Sequence, residues 1–305
     1  MTEEAAKIVW MSDLHFVAAG MVLNHDPRLR LSAAVDHLNT HHADADLCVI
    51  SGDLVNRGTL ADYTALKACL DKLKTPYHIM VGNHDSRAEL QQVFDLPAET
   101  MADFVQYAVP HPAARILCLD TLHPGADSGQ LCSDRLDWLK ATLADAEHKP
   151  CLVFMHHPPM ALGLPMQDRD RLAQSDSDVL LDLLAAHGGP IHLFIGHVHR
   201  ATSGIIAGLP FATMRSVLYQ APAPRPAWDW DTFAPASEAP NIGVIYVSGS
   251  DFTLHYEQFC APAYGCTPKT EAPLISHSAD LSNAMSSRPL QQRGTGLPSS
   301  WMGPG

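Results

Sequence analysis

The stretch PYHIMVGNHDSR (residues 76–87) begins as an apolar run of strand character. At Gly82 it turns onto an amide, an imidazole and a carboxylate, at Asn83, His84 and Asp85. A buried strand that delivers three polar groups to one edge needs a reason, because such groups are costly to bury unless they are paired. The pattern recurs along the chain. KIVWMSD (7–13) is followed by His15, LCVISGD (47–53) ends in Gly52 and Asp53, CLVFMHH (151–157) ends in His156 and His157, and IHLFIGHVH (191–199) ends in Gly196, His197 and His199. A sixth run, RILCLDT (115–121), has the same β-rich composition.

Between these runs lie SAAVDHLNTHH, TLADYTALKACLDKLK, SDRLDWLKATLADAEH and SDVLLDLLAAHG, with apolar residues at helical spacing, several of them opened by a Ser or Thr able to cap. Near-continuous apolar strands alternating with helices predict an α/β fold with a sheet covered on both faces. After about residue 200 the pattern changes. ATSGIIAGLPFATMR predicts a hairpin turning near Gly208, and NIGVIYVSGSDFTLHYEQF one turning at SGSD, a C-terminal β-hairpin extension of the sheet. Between them the Pro-rich segment 221–240 carries Trp228, Trp230 and Phe233, a surface loop, a wall of the site or a dimer contact. One domain is expected over residues 1–262, with 200–260 as its hairpin and cap region, followed by an extended or disordered tail over 263–305.

The formal charge of −13 opposes binding to a polymeric nucleic acid, which depends on Lys and Arg neutralising phosphates. Positive potential for a small phosphorylated ligand must then come from a local source such as bound metal. Seven scattered cysteines with no CxxC pair read as buried thiols of a cytoplasmic protein, and only Cys260 and Cys266 are close enough in sequence for a local bridge. The acidic start MTEEAAKIVW is no signal peptide, and no apolar stretch is long enough for a bilayer, so no membrane partner is expected. The edges of the late hairpins would need covering, which predicts a homo-oligomer, a dimer or higher.

Asp13 and His15, like His197 and His199, are spaced so that an extended backbone points both side chains the same way. In α/β sheets the carboxyl ends of strands share one edge. Asp13, His15, Asp53, Asn83, His156, His197 and His199 would gather there. Carboxylate, imidazole and amide oxygen without thiolate suit divalent Mn, Fe, Zn or Co. The set exceeds the needs of one tetrahedral ion and fits two ions, with Asp53 as the natural bridge. The remaining histidines, His25, His37, His41, His42, His78, His111, His123, His148, His187, His192, His255 and His277, lack this context and read as solvated or satisfied groups.

The ordered set DLH, GD, GNHD, HH and GHVH, from about residue 7 to 260, resembles the calcineurin-like metallophosphoesterase superfamily. ISGDLVNRGTLADY, VGNHDSRAEL and FMHHPPMALG are most similar to its branch of class III cyclic-nucleotide phosphodiesterases and bacterial glycerophosphodiesterases. The resemblance implies a four-layer α/β/β/α sandwich. It implies one ion held by Asp13, His15, Asp53 and His199, and a second by Asp53, Asn83, His156 and His197. His84 would face the substrate phosphate as a catalytic residue, His157 would support the site or face away, and Asp85 would orient a neighbouring imidazole. The implied activity is hydrolysis of small phosphodiesters, such as glycerophosphodiesters or 3',5'-cyclic nucleotides including cAMP, by metal-activated hydroxide. Asn56, Arg57 and Arg225 are the candidate substrate contacts. A phosphomonoesterase or phosphonate-ester hydrolase, or a metal-stabilised interaction module without catalysis, are the alternatives.

Overall fold

The alternation of side chains along two strands shows how the molecule is layered. On the strand Cys151–Met155, Leu152 and Phe154 enter one apolar core while Cys151, Val153 and Met155 enter another. On Ile191–Ile195, Phe194 joins the first core, and Leu193 and Ile195 the second. Both faces of each strand are therefore covered, one by helices and one by a second sheet, which is why these runs read as continuously apolar.

The computed structural model describes residues 5–266. The strands are β1 (Ala5–Met11), β2 (Leu47–Ile50), β3 (Tyr77–Ile79), β4 (Tyr107–Pro110), β5 (Arg115–Leu119), β6 (Cys151–Met155), β7 (Ile191–Ile195), β8 (Ser203–Ile206), β9 (Leu209–Thr213), β10 (Asn241–Ser248) and β11 (Asp251–Gln258). The helices are α1 (Pro27–His41), α2 (Leu60–Leu70), α3 (Arg87–Gln91), α4 (Ser133–Asp145) and α5 (Gln174–Ala186). One sheet has the order β11-β10-β1-β2-β3 and the other β4-β5-β6-β7-β9-β8. Strands β1, β2 and β3 are parallel, as are β5, β6, β7 and β9, whereas the two late hairpins and β4 add antiparallel edges.

Apolar residues of α1 (Leu31, Ala34, Val35, Leu38) and α2 (Tyr63, Leu66, Leu70) belong to the core of the first sheet. Those of α4 (Leu139, Leu143) and α5 (Leu180, Leu181, Leu184) close the second. Between the sheets, the ring of Trp10 on β1 meets Phe154 at 6.1 Å and Phe194 at 5.3 Å, and the two phenylalanines stack at 4.8 Å. The four-layer α/β/β/α sandwich with its C-terminal hairpins is thus present. The single sheet suggested by strand alternation alone is replaced by two, because an apolar run does not reveal whether helix or sheet covers it.

Both hairpins turn where the glycines predicted, with Ile206 opposite Leu209 and Ser248 opposite Asp251. The short strand β4 carries no sequence signal and ends in Pro110. Helix α1 begins earlier than the SAAVDHLNTHH pattern, at Pro27, where the Asp26 carboxylate accepts from the Arg28 and Leu29 amides. Thr59 caps α2 as expected, but α4 and α5 have no side-chain cap. Cys260 and Cys266 are free thiols, not a bridge. Of the tail expected over 263–305, residues up to 266 form a turn whose Gly265 carbonyl accepts from the Asp26 amide. The rest of that tail lies outside the described residues, as does His277. Among the described residues no helix is long and apolar enough to cross a membrane.

Candidate metal centre

Strands β1, β2, β3, β6 and β7 all point their carboxyl ends at one edge of the sandwich, and the chain leaves several of them in an uncommon conformation. Asp13, His15, Asp53, His197 and His199 all have positive φ, between 40° and 70°. Backbone of this kind costs energy in a residue with a Cβ and is concentrated at functional sites. Here it turns the side chains inward immediately after the strands end. The expectation that Asp13 and His15, or His197 and His199, converge through an extended backbone is corrected on this point: β1 stops at Met11 and β7 at Ile195, and the left-handed turns do the aiming.

The seven donors form two groups joined at Asp53. Asp13, His15, Asp53 and His199 place one ligand atom each within 4.8 Å of one another. His15 Nε2 lies 3.1 Å from His199 Nε2 and 3.4 Å from Asp53 Oδ2, and His199 Nε2 lies 3.4 Å from Asp13 Oδ1. On the other side, Asn83 Oδ1 is 3.2 Å from His156 Nε2 and 3.1 Å from His197 Nδ1, and His156 Nε2 is 3.4 Å from Asp53 Oδ1. Asp53 therefore presents one oxygen to each group, the arrangement of a bridging carboxylate. His156 and His199 are oriented from behind, since their Nδ1 atoms lie 2.9 Å from the carbonyls of Ser51 and Tyr219. Donation to those carbonyls frees each Nε2 lone pair for the centre, the second-sphere arrangement typical of metal-binding histidines.

Close packing of the loops leaves no room for larger residues. A Cβ on Gly82 would lie 2.3 Å from Asp53 Oδ1, and one on Gly52, at φ +94°, would lie 2.6 Å from His156 Nδ1. The donors fit divalent ions. All are nitrogen or oxygen, Asp13 Oδ2 is buried with no hydrogen-bond partner, and two imidazole nitrogens face each other at 3.1 Å. A cation between them relieves that juxtaposition.

The electrostatics are strongly polarised. Burial would raise both aspartates, but the charges of neighbouring histidines win: His199 foremost brings Asp13 down to about 2, and His156 and His84 hold Asp53 well below the usual carboxylate range. Burial pushes His15 and His197 down to about 3, keeping them neutral as ligands must be. For His156 burial is outweighed by Asp53, which lifts it to about 9. A bound cation competes with that proton directly.

His157 does not belong to the ligand set although its ring packs 4.9 Å from those of His156 and His197. Its Nδ1 is 2.7 Å from Thr121 Oγ1 and its Nε2 3.1 Å from the Asp127 carbonyl, so both nitrogens are engaged. Asp85 is a correction: its carboxylate touches no imidazole. It accepts from the amides of Leu54 (3.0 Å), Val55 (3.2 Å) and Gly82 (2.8 Å) and from the Tyr63 hydroxyl (2.8 Å), pinning the loop that carries Asp53 to the loop that carries Asn83. Burial and the Asp53 charge push it up to about 6 in spite of these donors.

His84 donates its backbone amide to Asp53 Oδ1 at 3.0 Å and holds the Asn56 carbonyl with Nδ1 at 3.1 Å, leaving Nε2 on the pocket side. The Asp53 charge raises it against the effect of burial. The pocket above the donors has a volume of about 340 Å³. Its wall includes Tyr219, Trp230 and Phe233 and the polar groups Asp127, Gln167 and Asp170, with no Lys or Arg among the described residues. Of the candidate substrate contacts, Asn56 supplies only that carbonyl, Arg57 is half-exposed and paired with Asp62 at 3.2 Å, and Arg225 is not in the pocket wall. Tyr219, Asp127, Gln167 and Asp170 had no motif to mark them; fold closure alone brings them to the site.

A back-to-back pair of sheets with a shared carboxylate between two imidazole groups defines a metallohydrolase of phosphate esters. The chain belongs to the calcineurin-like phosphoesterase family, whose model matches residues 6–201. It is 38% identical to a probable cyclic nucleotide phosphodiesterase of Rhodopseudomonas palustris, over 70% of this chain and 79% of that one. It is 33% identical to a glycerophosphodiester phosphodiesterase of Enterobacter lignolyticus, over 72% and 81%. A dimetal phosphatase from Danio rerio shares the fold, with a TM-score of 0.60 at 16% identity, covering 84% of this chain and 97% of that structure. Family membership and donor set together imply a divalent-metal-dependent hydrolase.

Proposed function

We propose that this protein is a binuclear phosphodiesterase for small phosphodiesters, the class that contains glycerophosphodiesters and 3',5'-cyclic nucleotides such as cAMP. One ion is assigned to Asp13, His15, Asp53 and His199 and the other to Asp53, Asn83, His156 and His197, with Mn, Fe, Zn or Co all suited to the donors. Two such ions, when bound, supply Lewis acidity, an acidified water and charge to offset that on the phosphoryl oxygens.

The chain's own groups do the rest. Asp53 fixes the spacing of the two groups, and the carbonyls of Ser51 and Tyr219 hold two imidazoles in register. His84, anchored through Nδ1 and its amide, presents Nε2 to a phosphoryl or leaving oxygen. Trp230, Phe233 and Tyr219 cover one organic arm of the ester.

The observation that carries the choice of diester is that, among the described residues, no Lys or Arg lines the pocket, where Asp127 and Asp170 stand instead. A monoester dianion would meet carboxylates without cationic side chains to offset them, whereas a diester brings a single charge and two arms. Turnover of bis(4-nitrophenyl) phosphate against 4-nitrophenyl phosphate, with Mn, Zn or Co restored to chelated enzyme, tests this. Preference for the diester supports it; equal or reversed rates favour a monoesterase, and no turnover with any metal favours a non-catalytic module.

The catalytic domain is assigned to residues 1–262. Seven free cysteines suit the reducing cytoplasm. Among the described residues the edge strands β8 and β11 each have one side unpaired with another strand, which supports a homo-oligomer.

A further inference from the structure

Three histidines in HLNTHH (37–42) had no place in the strand-end pattern, yet the fold brings two of them to a carboxylate far away in sequence. His37 lies on α1, His42 is its C-terminal cap, and Glu257 lies on β11. Phe252 on β11 faces the second sheet, its ring 5.9 Å from that of His192 on β7, so Glu257, at odd spacing from it, faces the other way, beneath α1.

His42 Nε2 is 2.9 Å and His37 Nε2 3.3 Å from the same oxygen, Glu257 Oε2. The three ligand atoms all lie within 4.8 Å of one another. His42 is buried, and its Nδ1 makes no hydrogen bond. One carboxylate oxygen can accept from both imidazoles, and the same closeness of the three ligand atoms lets them surround a single ion. His41, one turn beyond His37, has its ring 4.7 Å from that of His37 and 6.5 Å from that of His42 and stands outside the group of three.

We propose that His37, His42 and Glu257 form a separate divalent-metal site, most suited to Zn²⁺, that clips the end of α1 to the outermost strand of the first sheet. Two imidazoles and a carboxylate, with water completing a tetrahedron, are a donor set that zinc accepts. The site shares no residue with the Asp53-bridged centre and has no part in the phosphodiesterase reading. An ion bound to the folded state alone stabilises it by mass action, so its signature is a zinc-dependent rise in Tm.

The test uses full-length metal-loaded enzyme, dialysed to equilibrium against zinc and assayed for zinc per chain and for Tm. Wild type should hold one more zinc than Glu257→Gln or His37→Ala and gain Tm that the variants do not, while diester turnover is the same in all three. Equal zinc content in wild type and both variants would overturn the proposal and leave a plain His–Glu hydrogen-bonded cluster. The difference between proteins carries the result, whatever the occupancy of the Asp53 centre. Should a variant fold poorly, zinc-edge anomalous scattering from wild-type crystals decides: a peak beside His42 Nε2 sustains the site and a blank map refutes it.

Discussion

Replacing Asp85 probes how the two ligand loops are held together, because its carboxylate accepts from amides of both. It accepts from three backbone amides, at Leu54, Val55 and Gly82, and from the Tyr63 hydroxyl, which itself accepts from the Ser86 amide at 2.8 Å. In Asp85→Ala the three amides are left buried without partners, at about 1–3 kcal/mol each, a total of about 3–9 kcal/mol. That approaches the whole stability of a typical domain, about 5–15 kcal/mol. Asp85→Asn is milder. Its remaining oxygen can keep Leu54 and Gly82, which share Oδ2, while the new NH₂ faces Val55 and Tyr63. The hydroxyl can rotate away, so one amide loses its acceptor, for about 1–3 kcal/mol. Urea unfolding of metal-free protein, which removes metal linkage from the comparison, measures both. An Asp85→Ala loss below about 1 kcal/mol would refute the pinning role, as would equal losses in the two variants.

Loss of His84 to alanine should lower diester turnover by about 10²–10⁴-fold, the range for a positioned acid or electrostatic partner, with metal content unchanged. Metal loss in that variant would make His84 a ligand. His192 stacks on Phe194 at 4.5 Å with Nε2 buried and unpartnered, and burial pushes it down to about 4. Its folded pKa lies below its unfolded value of 6.5, so its contribution is whole above that pH and is lost as pH falls towards the folded value. Between about pH 7.5 and about pH 5, wild type should therefore lose about 2 kcal/mol more stability than His192→Phe, read from urea unfolding at each pH. Parallel losses in the two proteins would remove His192 as an acid-sensitive group.

The donor set could be read from sequence because strand ends in α/β folds share an edge, so that apolar runs closing on Asp, His or Asn mark neighbours in space. The family resemblance then supplied the partition around Asp53. What the residues did not reveal was conformational or came from tertiary closure. Left-handed backbone at Asp13 or His199 leaves no mark on composition, since nothing in either residue type demands positive φ. Asp85 lies between a ligand loop and a helix, and only the fold shows that its partners are amides and not an imidazole. Whether His157 supports the site or faces away was left open by its sequence, and the fold puts Thr121 and the Asp127 carbonyl on its two nitrogens. Arg57 stood out by proximity to the GD motif, and the fold shows the Asp62 carboxylate at 3.2 Å from it. Tyr219 reaches the pocket from a loop after β9 that has no periodic pattern at all.

The bridging role of Asp53 is tested most directly by anomalous scattering at the manganese edge, from crystals of the full chain grown with excess Mn²⁺. Two peaks should flank Asp53, one within bonding reach of Oδ2, His15 and His199 and the other of Oδ1, Asn83 and His156. A single peak, or manganese bound elsewhere with Asp53 touching none, would contradict the account.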